Sequence, residues 1–109
     1  MTVGLYRYSG ELYDRESELT LSENISSQDF YDEHWKRAIH ELDILIIQDG
    51  SEIAFHQLED ALHELGRLRE WAIQRLVGPD LEYMKDRVEH LQRILPNAFD
   101  SEEVILYIF

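Results

Sequence analysis

Two imidazoles and two carboxylates, His56, Asp60, His63 and Glu64, fall at i, i+4, i+7 and i+8. On a helix those intervals share a face, and the set could bind zinc or iron if a second helix supplied the remaining ligands. The metalloprotease pattern H-E-x-x-H is absent, however. A carboxylate-bridged di-metal bundle uses the Glu-x-x-His pair twice, whereas the nearest equivalent, Asp60-x-x-His63, occurs once. The expected reading is a solvated helix face with i,i+4 pairs such as Glu59–His63, holding neither metal nor cofactor. His34, His40 and His90 stand alone and read as helix-surface residues.

Other chemistries find less support. Without cysteine there is no thiolate nucleophile, no disulfide framework and no thiolate zinc site. No serine sits in G-x-S-x-G, and those present fall at caps and turns, where local hydrogen bonding accounts for them. The five glycines form neither a P-loop nor G-x-G-x-x-G. Among 23 acids some pair always looks suggestive, so a carboxylate pair carries no specificity. Tyr6, Tyr8, Tyr13, Trp35 and Trp71 could line a ligand pocket, but read more simply as core or interface anchors. The chain is expected not to be an enzyme.

Charge is the strongest compositional signal: 10 Lys and Arg against 23 Asp and Glu give −13. Nucleic-acid binding needs a basic face to displace counterions from phosphates, and an anionic membrane surface disfavours this chain for the same reason. A basic partner would be drawn in by long-range attraction, although acidity can also serve solubility alone. The N-terminus has no basic segment followed by an apolar run, and the longest aliphatic run, Ile44–Ile47, is far short of a bilayer span. A soluble, cytoplasmic protein is expected.

These side chains are positioned by a short list of elements. At 109 residues one domain is expected. Ala54, Leu58, Ala61, Leu62, Leu65, Leu68, Ala72 and Leu76 recur at steps of three and four, which predicts a long helix over residues 54–77 with its apolar stripe in the core. His56, Glu59, Asp60, His63, Glu64, Arg67, Glu70 and Gln74 form the opposite face, and Val77-Gly78-Pro79 ends the helix. A strand is predicted at 3–9 and a second near Glu18–Ser22, with Asp14-Arg15-Glu16 as a charged loop between them. Ser26 and Ser27 are N-caps for a helix from Gln28 to at least Leu42. Ile44–Ile47 suits a helix continuation or a buried strand; the 3.6-residue phase through Leu45 and Ile46 favours helix, then a turn at Asp49-Gly50. Gly78-Pro79-Asp80 opens a third helix, with Leu81, Met84, Val88, Leu91 and Leu95 inward and Pro96 at its end. Val104–Phe109 is predicted as a strand beside the N-terminal one. The expected class is α+β, predominantly helical: about three helices packed around a long central helix, with short strands from the two ends.

The run from Trp35 to Trp71, W-K-R-A-I-H-E-L-D-I-L-I-I-Q-D-G and then L-E-D-A-L-H-E-L-G-R-L-R-E-W, together with V-I-L-Y-I-F, resembles small immunity proteins of bacterial contact-dependent and polymorphic toxin systems. The likeness is one of pattern. It implies a cytoplasmic protein that binds one cognate basic toxin domain, often a nuclease, and blocks its active site or substrate surface. Contact residues in such families vary from pair to pair, so none carries over. The acids expected to meet the partner are Asp32, Glu33, Asp60 and Glu64 on exposed helix faces, with Asp49 and Glu52 at the turn between helices. The alternative is a phage-type DNA mimic that disables a nuclease, restriction or CRISPR complex.

Overall fold

A computed structural model describes residues 1–10 and 16–109. Strand β1 (Thr2–Tyr8) pairs antiparallel with β2 (Leu19–Ser27), with irregularities of register at Val3/Gly4 and Arg7/Tyr8. Side chains of a strand alternate between faces, so Val3 and Leu5 go into the core while Tyr6 and Tyr8 point the other way. β2 continues past the expected end at Ser22 because β1 offers pairing along its length. Asp14 and Arg15 of the expected charged loop, and Tyr13, lie outside the described residues.

Helix α1 spans 28–42, with a π-helical turn at Tyr31–Trp35 between the α-helical turns Gln28–Phe30 and Lys36–Leu42. Ser27 caps it as expected, its hydroxyl accepting from the Phe30 N–H at 3.4 Å. The wide turn brings Tyr31, His34 and Trp35 inward together, which corrects the surface assignment of His34. The helix stops at Leu42, where Asp43 adopts the left-handed conformation at φ 54° and the Ile44 N–H turns back to the Ile39 carbonyl at 3.0 Å. Ile44–Ile47 is therefore neither helix nor regular strand.

Strand β3 (Glu52–Ala54) and a 3-10 turn (Phe55–Gln57) precede helix α2 (Leu58–Arg75). The predicted helix over 54–77 thus starts late. Ile53 is fully buried against Leu106 in the sheet, and Gln57 Oε1 accepts from the Ala54 N–H at 2.9 Å, bending the chain into the helix. Within α2, Ala61, Leu65, Leu68 and Ala72 are buried as the stripe requires, joined by Trp71 and Glu64. Helix α3 (Gly78–Ala98) opens on Gly78 at φ +60° with Pro79 in its first turn, and at 21 residues is longer than α2 at 18. Pro96 does not end it. A proline there removes only the donor to one carbonyl of the final turn, and burial of Leu95 and Ala98 holds that turn in place.

Strand β4 (Ile105–Ile108) pairs with both β1 and β3, giving an antiparallel sheet in the order β2-β1-β4-β3. The predicted neighbourhood of the two terminal strands is present, and Gly4 and Phe109 exchange both backbone hydrogen bonds at 2.9 and 3.1 Å. A four-stranded sheet with three helices over one face makes the class a mixed α+β rather than a predominantly helical one. Leu5, Trp35, Ile53, Leu65, Leu106 and Ile108 fill the space between the layers. On the far face Tyr6 stacks on Phe109 at 4.6 Å and Tyr8 meets Tyr107 edge-on at 6.1 Å. Gly4 makes room for the first pair, since a Cβ there would lie 2.5 Å from the Tyr6 hydroxyl oxygen. Side chains of α3 guard the β2 edge: Arg87 donates to the Asn24 carbonyl at 3.3 Å and the Tyr83 hydroxyl accepts from the Ser27 N–H at 3.0 Å. Among the described residues no helix is long and apolar enough to cross a membrane.

Candidate protein-binding surface

The link between α1 and β3 has no regular hydrogen bonding of its own, so its backbone donors need other acceptors. Glu64 supplies them. Its carboxylate accepts from the N–H groups of Leu45 at 3.0 Å, Ile46 at 3.0 and 3.3 Å, and Ile47 at 2.9 Å. Three consecutive amides converging on one anion form a nest, and Glu64 is buried, only 8% exposed. Glu64 is therefore an internal clamp, not the exposed partner-facing acid the helix pattern predicts. The clamp also decides which aliphatics are inside: Ile44, Ile46 and Ile47 are buried, while Leu45 is 74% exposed. An apolar side chain is thus held out to solvent on a fixed loop.

The other five predicted acids are exposed, but they do not form one cluster. Asp32 pairs with Lys36 Nζ at 2.9 Å and accepts from Gln28 Nε2 at 3.0 Å; these bonds, the lysine's first, hold its carboxyl below the ordinary range. Glu33 lies 3.8 Å from His34 Nε2, which also faces Asp80 of α3 at 3.4 Å. Asp49 donates its backbone N–H to the Tyr31 hydroxyl at 2.8 Å. Burial pushes the Tyr31 phenol up, the Asp49 bond opposes this, and the charges of Asp49 and Asp32 add to the rise, so both acids lie in electrostatic reach of one ring. Glu52 stands on β3 opposite Tyr107, and Asp60 is in the first turn of α2. Among the described residues Asp43, Asp49, Glu52, Glu59 and Asp60 make no ion pair. One signal for this was open in the sequence: residues 38–66 contain seven acids and no Lys or Arg. The display of Leu45 had none, because it depends on an acceptor far along the chain.

Beside the loop, a groove of about 660 Å³ runs between the end of α1 and α2, with Leu42, Leu62, Gly66 and Trp71 in its lining. The Trp71 indole N–H donates to Glu41 at 2.5 Å, Arg75 lies 3.7 Å from the same carboxylate, and the Arg37 guanidinium sits 5.8 Å above the indole ring. The indole bond is the largest of the influences that hold the Glu41 carboxyl below its usual range. Arg67 closes one side by donating to the Leu42 carbonyl, an otherwise unpaired acceptor at a helix end.

The metal hypothesis meets the same clamp. His56, Asp60 and His63 are exposed while Glu64 is spent on backbone amides, and no described group of three or more His, Asp or Glu side chains has a geometry that could hold a metal ion. Trp35 and Trp71 are core residues, whereas Tyr6 and Tyr8 belong to the outer sheet face. No family model matches the sequence, and neither a curated protein nor a solved structure matches it.

Proposed function

We propose that this chain is a non-catalytic binding protein that captures and neutralises a cationic protein, acting in the cytoplasm as the immunity proteins of bacterial toxin systems do. One observation carries the reading. The carboxylates of Asp43, Asp49, Glu52, Glu59 and Asp60, which make no ion pair among the described residues, punctuate a stretch whose central loop is fixed by Glu64 and exposes Leu45. Unpaired acids attract a basic surface over distance and speed encounter, while a fixed apolar side chain supplies contact that salt does not screen. A loop already ordered by internal hydrogen bonds loses little further freedom on binding. Neutralisation then needs only occlusion of the partner's active or substrate-binding surface.

The test is co-expression with candidate basic toxin domains, the product of the neighbouring gene first, followed by binding measurements at two salt concentrations. A one-to-one complex and rescue of growth are expected. The triple variant Asp49→Lys, Glu52→Lys, Asp60→Lys should slow association about tenfold or more. Failure both to form a complex and to rescue growth overturns the reading. Loss of nearly all affinity at several hundred millimolar salt would instead favour the DNA-mimic alternative, in which charge alone binds.

A further inference from the structure

We propose that Leu45 is a knob that enters an apolar pocket rimmed by Lys or Arg on the cationic partner, while the backbone of its loop takes no part; this deepens the binding reading above and rests on it. The loop from Asp43 to Ser51 is neither helix nor strand, yet each of its backbone N–H groups has an acceptor. Those of Asp43 and Ile44 turn back to the carbonyls of His40 and Ile39 in α1. Leu45, Ile46 and Ile47 give theirs to Glu64, and Asp49 gives its own to the Tyr31 hydroxyl. Gln48 and Ser51 donate within the loop, to the Ile46 and Gln48 carbonyls at 3.0 and 3.3 Å, and Gly50 donates to Ile108 at 2.8 Å. The Ser51 hydroxyl and Gln48 Nε2 tie down the carbonyls of Ile46, Gln48 and Leu45 as well.

A loop bonded in this way has no N–H left for a partner strand to pair with, so recognition falls to its side chains. Nor is the exposure of Leu45 the fraying of a mobile segment. Ile44 and Ile46 on either side are buried and bonded, which leaves one isobutyl group standing out at a fixed place. Charge says what meets it. Asp43 is two residues away and Asp49 four, so their exposed carboxylates flank Leu45 within about 7 and about 14 Å of fully stretched chain. Neither makes an ion pair among the described residues. No Lys or Arg occurs in residues 38–66, and the cations that bound this stretch are engaged at home. Arg37 sits over the Trp71 ring and Arg67 donates to the Leu42 carbonyl. Lys36 bonds Asp32 at 2.9 Å, with Asp49 the smallest of the influences on its ammonium. An apolar centre ringed by one sign of charge calls for a hollow ringed by the other, the centre supplying grip and the rim supplying register.

The probe is amino-substituted β-cyclodextrin, an apolar hollow rimmed by ammonium groups, with carboxylated β-cyclodextrin as control. Both are titrated into the 15N-labelled full chain and into Leu45→Ala and Leu45→Met. The amino ring should bind saturably with its largest shifts at residues 43–49, and the carboxylated ring should not bind there. Leu45→Ala should weaken the amino ring about tenfold at an unchanged melting temperature, and Leu45→Met should keep most of the affinity. Against the toxin domain, Leu45→Ala should speed dissociation about tenfold and leave association unchanged, the reverse of the triple lysine variant. Equal binding to Leu45→Ala, shifts centred on Val77 or the outer sheet face, preference for the carboxylated ring, or no saturable binding overturns the proposal. So does self-association of the chain that Leu45→Ala abolishes, which would make a second copy the occupant. If the triple lysine variant loses the toxin domain while Leu45→Ala holds it undiminished, the knob is wrong and the binding reading stands.

Discussion

A carboxylate withdrawn from water needs its lone pairs answered, and Glu64 has three amides doing so. Glu64→Ala would strand buried donors, each costing about 1–3 kcal/mol, so a loss of about 3 kcal/mol or more is expected in urea unfolding, with faster hydrogen exchange at Leu45, Ile46 and Ile47. Glu64→Gln keeps one carbonyl acceptor but turns an NH2 towards amide donors, and should fall between that variant and the parent. Glu41 offers a different readout. Its carboxyl is held below the ordinary range chiefly by the Trp71 indole, so the contact contributes stability above the ordinary carboxylate pKa and loses it only as pH falls through the lowered folded value. The Trp71 indole N–H resonance should therefore titrate with a midpoint below that of an unperturbed glutamate. Glu41→Gln should leave that resonance flat with pH; an unchanged titration would show that another acid governs it.

The helices and strands divide into those specified by neighbours and those specified from a distance. Ser27 lies next to the helix it caps, so Ser27→Ala should cost about 1 kcal/mol while Ser27→Asp should cost little, both measurable by denaturant midpoint. That cap, the amphipathic stripes of α2 and α3, and the pairing of the terminal strands were all legible, because periodicity and capping chemistry are local. Residues 44–47 were not. Their aliphatic run satisfies a helix or a strand equally, and the acceptor that ends the ambiguity lies 17 to 19 positions away at Glu64. The helix pattern sends Glu64 to solvent, as it would any glutamate on a polar face; nothing local marks the nest it fills. Ala54 extends the α2 stripe by phase, yet Ile53 beside it is taken by β4, and pairing in a sheet overrides propensity at a helix end. Pro96 reads locally as a terminator, although in a last turn it removes one bond that apolar burial outweighs.

Taken whole, a charge of −13 over a body 44 × 28 × 21 Å places like charges well within one another's reach at low salt. The Debye length falls from about 30 Å at 0.01 M to about 3 Å at 1 M. Added sodium chloride should therefore raise the melting temperature through relief of self-repulsion. A fall would mean that the ion pairs, which sit mostly at the surface, outweigh it. One further consequence belongs to the strand order. The seam at the middle of the sheet, β1 against β4, joins segments about as distant along the chain as this chain allows, Leu5 facing Ile108. A nascent or truncated polypeptide lacking residues 105–108 has not lost an edge; it holds a hairpin and a stray strand with nothing to stitch them. High contact order of this kind slows folding, so the late arrival of β4 should gate the final cooperative step, and clipping there should unravel the molecule rather than trim it.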